Sequence, residues 1–437
     1  MVIATLIRSR RVLLLNPPIV DLRVPWAEWL EPTGLLKIGT VLREQDNDVH
    51  LLDCFRSAPL RRQLDATIDR EGQTLNRWRF GLRSIDIVRA LQSLKRSNWI
   101  PDRVLITTRT SFWWLGIPIA VAAVRKVFPD VTVILGGVYP DQAPKHAEQF
   151  GEVDQIGDQE LTSAAVTYAP AIDLYNTRIA SVAVTELKTL GVDRTMTMLD
   201  MAVKQGATRI HLADHAVATE SPNLLADLLE RLARSYPRTR LFVLGEISAR
   251  EIVAWPELPA LLRAARCRQL VLSDNRYYPV GKEGEANFVT DVRQAMNKII
   301  AAGFRARTDD CGVQMAVGRL GETPENGARL LAHLSPVAGS VIPVPFQPTL
   351  NDIGADDPWE TNGKLFPLAQ RNGSSFMAYM ELLGLCAVAN AKHRTRTFDF
   401  AEDSVIARSL RRALLERAWD PHGIDGPREL AVLQNGG

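Results

Sequence analysis

The sequence predicts an α/β protein in which a doubly wound, Rossmann-like parallel sheet is followed by a second run of β/α units. Three observations lead to this prediction. Short continuous apolar runs alternate with stretches of helical length, a pattern typical of strands covered by helices on both faces. Each run ends in glycine or polar residues. The chain has 437 residues, of which 46% are hydrophobic, so it can bury more than one core.

The first half of the chain, residues 1–170, is predicted to alternate strand and helix. The predicted strands are Val12–Asn16, Val49–Asp53, Arg103–Thr108, Val131–Gly137 and Glu152–Gly157. The predicted helices are Thr33–Glu44, Gly116–Val127 and Ala143–Phe150. Residues 56–99 are interpreted as an amphipathic, helical insertion with a basic face. The alternation predicts a parallel sheet, and such sheets bind ligands beyond the carboxyl ends of their strands.

Every predicted strand of this half ends in a loop suited to ligand binding. Adjacent glycines leave backbone that a ligand can approach, and threonine and serine hydroxyls can donate to a phosphate or an amide. The candidate ligand-binding residues are Asn16, Pro17, Thr33, Asp53, Thr108, Arg109, Thr110, Ser111, Trp113, Gly136, Gly137, Val138, Tyr139, Gly157, Asp158 and Glu160. The chain contains neither GxGxxG nor GxxxxGK[ST], so these loops carry no dinucleotide or nucleoside triphosphate fingerprint.

The succession of loops resembles the cobalamin-dependent radical S-adenosylmethionine family. The matching segments of the first half are LLLNPP, EPTGLLKIG, ITTRTSFWW, LGGVYP and IGDQE. Those of the second half and tail are HLADHAVA, LGEISAREI, VQMAVGRLGETPENG, VIPVPFQP, DDPWETNG and NAKHRTRTFDF. The resemblance implies a cobalamin-binding, Rossmann-like domain over residues 1–170 and a partial (β/α)6 TIM-like barrel over 171–350. It also implies a largely helical C-terminal extension over 351–437.

The chain departs from this family at the family's catalytic centre. Family members carry CxxxCxxC after the first barrel strand, where three thiolates hold a [4Fe–4S] cluster. Here that stretch, residues 182–195, reads VAVTELKTLGVDRT and contains no cysteine. The four cysteines, Cys54, Cys267, Cys311 and Cys386, lie far apart and are predicted to be buried and reduced. We therefore expect cobalamin but no iron–sulfur cluster, and no radical cleavage of S-adenosylmethionine; whether that molecule binds stays open.

Polar residues at the predicted barrel mouth are the candidate catalytic groups. The resemblance places Asp214 and His215 where the family has paired aspartates, and Glu246 on the next strand; we predict that they manage protons. His211 and His215 would lie roughly 13 Å apart on a strand, so no metal site is predicted. The first loop has no histidine for the lower face of cobalt, and Arg109, Trp113 or Tyr139 are the candidates to cover it.

Three functions are compatible with this sequence. The first is a cobalamin-dependent methyltransferase that works without radicals on a small-molecule substrate. The second is a non-catalytic corrinoid-binding or partner subunit that supports a paralogous enzyme, and the third is an α/β protein that binds another nucleotide. Inward polar residues in the barrel favour the first. A net charge of +2 gives no reason to expect nucleic acid or a membrane as partner. We expect a cytoplasmic protein, because no secretory signal or spanning run is indicated.

Overall fold

A computed structural model of the protein describes residues 10–22, 31–56, 62–149, 152–157, 159–176, 178–305 and 310–394. Over these residues the chain is an α/β protein with two parallel sheets, of five and six strands, and a three-stranded antiparallel sheet. Within this described part, no helix has the length and apolar character needed to cross a bilayer.

The strands and helices are numbered in chain order. The strands are β1 (Arg11–Asn16), β2 (Ile19–Asp21), β3 (Asp48–Asp53), β4 (Arg62–Arg70), β5 (Gln73–Phe80), β6 (Arg103–Thr108), β7 (Thr132–Gly137), β8 (Gln155–Ile156), β9 (Ser181–Val184), β10 (Arg209–Leu212), β11 (Arg240–Ile247), β12 (Cys267–Leu272), β13 (Cys311–Val317) and β14 (Val341–Pro345). The helices are α1 (Thr33–Glu44), α2 (Ser84–Arg96), α3 (Gly116–Val127), α4 (Val138–Gln142), α5 (Pro144–Gln149), α6 (Gln159–Ala165), α7 (Leu187–Lys204), α8 (Val217–Glu220), α9 (Pro222–Ser235), α10 (Ala249–Ala254), α11 (Leu258–Ala264), α12 (Lys282–Ala301), α13 (Pro324–Leu334), α14 (Leu350–Ile353) and α15 (Phe376–Arg394).

The five-stranded sheet has the strand order β3-β1-β6-β7-β8 and is parallel throughout. Alternate residues of β1 enter two different cores: Val12 and Leu14 pack with α1, while Leu13 and Leu15 pack with α2 and α3. Helices therefore cover both faces, which explains why the strands are continuously apolar. The chain order reverses between β1 and β6, and a crevice for ligands forms at such a switch point.

The bounds predicted for α1, α3 and β6 are confirmed, whereas the insertion predicted to be helical is, over its described residues, a helix only in α2. Residues 62–80 form the hairpin β4–β5, which pairs with β2 in the order β2-β5-β4, and one helix, α2, follows it. The two-residue turn at Glu71 and Gly72 has positive φ at both positions, the conformation that lets a short turn follow the twist of a hairpin. The Glu-Gly pair was a weak signal because glutamate rarely adopts positive φ.

The six-stranded sheet is parallel, and its strands follow chain order from β9 to β14. Helices separate successive strands, as the β/α pattern predicts. One apolar core joins residues of β1 and α1 to residues of β9–β14 and their helices. The two parallel sheets are thus parts of one packed body, with α1 between them in the shared core.

The segment after β14 packs back onto the first half. Lys364 is 3% exposed and its ammonium lies 2.5 Å from Asp21 Oδ2, whose side chain is fully buried. Trp114 donates its indole N–H to Asp357, at 2.9 Å. The predicted helical tail is confirmed only as α14, three 3₁₀ turns and α15; its remainder lies outside the described residues.

Candidate functional site

Arg109, which directly follows β6, lies close to groups at the carboxyl ends of strands from both parallel sheets; the region around it is called the cleft. Burial raises the pKa of Glu31, before α1, and that of Glu246, in β11; the Arg109 charge opposes both rises. Burial also lowers the pKa of His215, after β10, and the charges of Arg276 and Arg109 lower it further. Groups at three elements, α1, β10 and β11, therefore lie within electrostatic reach of one guanidinium.

The predicted ligand residues Asn16 and Asp53 are paired with the protein itself. Asp53 is 4% exposed and accepts hydrogen bonds from the Asn16 side chain (3.0 Å), the backbone N–H groups of Phe55 (3.1 Å) and Arg56 (3.0 Å), and the Tyr175 hydroxyl (2.8 Å). Burial raises the pKa of Asp53 against these bonds. The two residues fix the relative positions of the β1 and β3 ends.

The side chains of three further predicted ligand residues are also buried against the protein: Pro17, Trp113 and Tyr139. Pro17 is buried beside α3, where a β-carbon at Gly116 would lie 1.9 Å from the Pro18 carbonyl oxygen. Trp113 is buried and donates its indole N–H to Asp21, at 3.0 Å. Tyr139 is fully buried and shares a 2.6 Å hydrogen bond with His146. Of the three residues predicted to cover the lower face of cobalt, Arg109 alone is exposed.

The glycines predicted to contact a ligand lie at the ends of β7 and β8, and they differ in the space around them. A β-carbon at Gly136 or Gly157 would meet no heavy atom of the described chain within 4 Å, so open space lies above both. Gly157 has a φ of 74° and Gly137 a φ of 83°, so both serve turns, and a β-carbon at Gly137 would also lie 2.0 Å from Thr107 Oγ1.

The remaining predicted ligand residues divide between internal contacts and the rim. The Thr33 hydroxyl donates to the Glu31 carbonyl at 3.1 Å, and that of Thr108 to the Thr110 carbonyl at 3.0 Å. Thr110 is partly buried and Ser111 is 3% exposed. Val138 begins α4, and Glu160 is exposed in the first turn of α6; Asp158 lies outside the described residues.

Asp214, a predicted catalytic residue, holds the beginning of α7. Its Oδ2 accepts the Leu187 backbone N–H at 2.6 Å, and the Lys188 N–H also bonds to it. Burial raises the pKa of Asp214, and these bonds oppose that rise. A carboxylate at a helix N-terminus satisfies N–H groups that have no partner within the helix. Asp214 therefore fixes the start of the segment that follows β9.

A second contact, the ion pair between Lys37 and Glu186, holds the segment between β9 and α7. Lys37 of α1 is 3% exposed, forms an ion pair with Glu186 and donates to the Val166 carbonyl at 3.0 Å. Burial lowers the pKa of Lys37 to about 8. The helix α7 starts one residue after Glu186, with a non-helical residue at Gly191. Residues 187–190 thus form one helical turn, which Gly191 with a φ of 69° separates from the rest of α7.

Glu246 is the predicted catalytic residue with the most altered acidity. It lies on an irregular stretch of β11, where the register with β12 shifts between Leu244 and Ile247. Gly245 has a φ of 124°, and the Gln314 amide packs against it and donates to the Leu244 carbonyl at 2.6 Å. Such a bulge re-aims a side chain. Burial raises the pKa of Glu246 to about 7, the range in which a carboxyl group exchanges protons at neutral pH.

His215 lies beside a two-point ion pair. Arg276 binds the 2%-exposed Asp274 through its Nε (2.9 Å) and Nη2 (2.7 Å) atoms. Because its pKa is lowered, His215 is neutral at pH 7 and can accept a proton. Among the described residues, no group of three or more His, Cys, Asp or Glu side chains is arranged to hold a metal ion.

The cysteines are buried, as predicted. All four thiols are free and buried, and burial raises the pKa of each, to about 12 for Cys311 and Cys386. His211, the other histidine considered for a metal site, stacks on Phe242 with ring centroids 5.2 Å apart. Burial lowers the pKa of His211 to about 4.

Three residues of the cleft were missed by the sequence interpretation: Glu31, Lys37 and Arg276. Glu31 precedes the Pro32-Thr33 start of α1, so its charge beside an apolar helix was an available signal. Arg276 follows Asp274 by two residues, a spacing that permits a local ion pair. Lys37 follows Leu35 and Leu36, but nothing in the pattern showed that its ammonium is buried.

The sequence matches no protein-family model, and it matches no curated protein.

Proposed function

We propose that the protein binds a corrinoid in the cleft between its two parallel sheets and transfers a methyl group without radical chemistry. The observation that carries the proposal is the convergence on Arg109 of groups from both sheets, among them a glutamate whose pKa is about 7. The cleft includes the switch point of the first sheet, where doubly wound proteins bind ligands. The sequential strand order of the second sheet supports the partial barrel inferred from the sequence.

The residues at the ends of β6, β7 and β8 fit a bulky ligand with a polar periphery. Open space lies above Gly136 and Gly157. The Thr110 hydroxyl oxygen is buried without a hydrogen-bond partner in the described chain, as expected of a group that a ligand satisfies. We propose that Arg109, Thr110, Gly136 and Gly157 hold the corrinoid. Asn16, Pro17, Trp113 and Tyr139 would support these loops from behind.

When bound, a corrinoid supplies a cobalt centre that accepts and gives up a methyl group. Glu246 would take a proton from a substrate hydroxyl, amine or thiol, because about half of its carboxyl groups are ionised near pH 7. His215, neutral at this pH, would be a second proton acceptor. Arg109 would bind an anionic group of the corrinoid, since a guanidinium offers paired donors to carboxylate or phosphate.

A second candidate function is that of a corrinoid-binding or partner subunit without catalysis. The contacts of the segment after β9 favour it. Asp214 bonds to the first residues of α7, and Lys37 pairs with Glu186. The resemblance would place the family's iron–sulfur cluster at this segment. A protein that has lost one catalytic element can retain its binding surfaces for a paralogous enzyme.

Two experiments test the proposal in sequence. Hydroxocobalamin is mixed with the purified protein, excess is removed, and the visible spectrum is recorded. Retained corrin absorbance at about one equivalent supports the proposal. If no absorbance is retained, both corrinoid functions are contradicted, and the third function, binding of another nucleotide, is favoured. S-adenosylmethionine is then added under reducing conditions, and formation of methylcobalamin distinguishes a transferase from a silent binder. Glu246→Gln should slow the subsequent transfer to substrate, while Glu148→Gln, an exposed control, should not.

A further inference from the structure

Glu246, the proposed proton acceptor, lies in a part of β11 that the ladder with β12 does not hold. Leu244 and Ile247 of β11 pair with two consecutive residues of β12. Gly245 and Glu246 are therefore two extra residues, inserted between consecutive pairs of the ladder. Such an irregularity bends a strand and re-aims its side chains, so the direction of the Glu246 carboxylate depends on other contacts.

One of these contacts comes from β13, on the far side of β12. The Gln314 side-chain amide donates to the Leu244 carbonyl at 2.6 Å, although β12 lies between β13 and β11 in the sheet. Gln314 therefore reaches across the face of β12. Gly245 leaves room for it, since a β-carbon there would lie 2.3 Å from Gln314 Oε1 and 2.4 Å from its Nε2.

Leu244 links Gln314 to Glu246. Its carbonyl accepts the Gln314 amide, and its N–H donates to Glu246 Oε2 at 2.5 Å. We propose that Gln314 is a positioning residue, which holds the bulge of β11 in the shape that turns the Glu246 carboxylate back onto its own strand. The consequence for catalysis rests on the proposed function, in which Glu246 accepts the substrate proton.

The test measures the titration of Glu246 with and without the Gln314 amide. Gln314→Met keeps much of the side-chain volume but donates no N–H, and Gln314→Asn carries its amide on a side chain too short to reach Leu244. In each background, the effect of Glu246→Gln on the free energy of unfolding is measured from pH 5 to pH 8. In the wild type this effect should level off at about pH 7, where the raised pKa of Glu246 lies. In both Gln314 variants it should level off at least about 1 pH unit lower, because a carboxylate that is no longer held can reach water.

A purely structural role of Gln314 would give a different result. Replacing a side chain that only fills space lowers stability by the same amount at every pH, so the effect of Glu246→Gln would level off where it does in the wild type. That outcome overturns the proposal, and either variant that folds can give it. The matched control is Gln269→Met. Gln269 is 2% exposed and pairs with Phe242, on the part of β11 before the bulge, so its replacement should leave the titration of Glu246 unchanged.

Retention of hydroxocobalamin separates this inference from the proposed function. The Gln314 variants should retain it as the wild type does, since Gln314 holds β11 rather than the corrinoid. If the wild type retains no corrinoid but the titration shifts, the proposed function falls, and Gln314 still sets the position of Glu246. If corrinoid is retained and the titration does not shift, only the role of Gln314 falls.

Discussion

Replacement of Glu246 by glutamine is expected to stabilise the protein at pH 8 and to have a much smaller effect at pH 5. The carboxyl group has an ordinary pKa of 4.5, and burial raises it to about 7 in the folded chain. The folded state therefore disfavours the charged form. Glutamine mimics the neutral form, and its side-chain oxygen can still accept the Leu244 N–H that Glu246 Oε2 accepts at 2.5 Å.

The sign and size of the effect follow from this difference in pKa. Because the folded pKa is the higher one, the wild type keeps its full stability below about pH 4.5 and loses stability as pH rises from there to about 7. A rise of this size corresponds to about 3 kcal/mol when the loss is complete. The variant should therefore exceed the wild type by about 3 kcal/mol at pH 8 and by about 1 kcal/mol at pH 5.

The measurement is urea unfolding of both proteins at pH 5, 6, 7 and 8, followed by circular dichroism and by tryptophan fluorescence. The difference in unfolding free energy between variant and wild type is plotted against pH, which removes the contributions of all groups common to both. Glu148→Gln, at an exposed position, is the control and should give a flat line near zero. A pH-independent difference for Glu246→Gln, or a less stable variant at pH 8, would refute the assigned environment of Glu246.

Four further substitutions separate structural from ligand-facing roles. Asp214→Ala should lower the free energy of unfolding by about 1–2 kcal/mol, because the first N–H groups of α7 lose their acceptor; urea unfolding measures this. Lys364→Met should cost about 3–5 kcal/mol, since it leaves the Asp21 carboxylate buried without its cation, and the thermal midpoint should fall accordingly. Gly137→Ala should destabilise the fold because of its positive φ and the nearby Thr107, whereas Gly136→Ala should leave the thermal midpoint unchanged and reduce corrinoid retention.

Each of these changes has a control and an outcome that contradicts it. Asp130→Ala, at an exposed aspartate, should leave the free energy of unfolding unchanged. If Asp214→Ala also leaves it unchanged, the contact with α7 contributes no stability. Asp21→Asn combined with Lys364→Met should recover part of the loss, because no buried charge remains; no recovery would contradict the ion-pair explanation. Equal thermal midpoints for Gly136→Ala and Gly137→Ala would contradict the inference that Gly137 is required by its turn and that Gly136 borders open space.

The sequence predicted the regular parts of the fold because burial on both faces imposes an unbroken apolar pattern. The bounds of α1, α3 and β6 agree with the structure for this reason. The hairpin β4–β5 was missed because its strands are short of apolar residues and carry many charges, such as Arg77 and Arg79 around Asp65. Those charges suggested a solvated helix face, whereas the structure pairs them across the sheet.

The candidate site was harder to predict, because a polar residue at a strand end can face either a ligand or the protein. Asn16 and Asp53 have the position expected of ligand contacts, yet their polar atoms bond to each other and to neighbouring backbone. Trp113 is bound by Asp21, which is 92 residues away in sequence. Pairings of this kind depend on tertiary packing, and no local pattern encodes them.

Asp214 and Glu246, the two acids predicted to be catalytic, also differ in whether their carboxyl groups bond to another element of the protein. Burial raises the pKa of both Asp214 and Glu246, so acidity alone does not choose between them. Asp214 bonds to the first backbone groups of α7, and protonating or turning it would loosen another element. Glu246 bonds within its own strand, to Leu244 and to its own N–H, and Arg109 is its cationic neighbour. It can gain or lose a proton without releasing a second element, so under the proposed function Glu246 would transfer protons in the cleft, whereas Asp214 supports the fold.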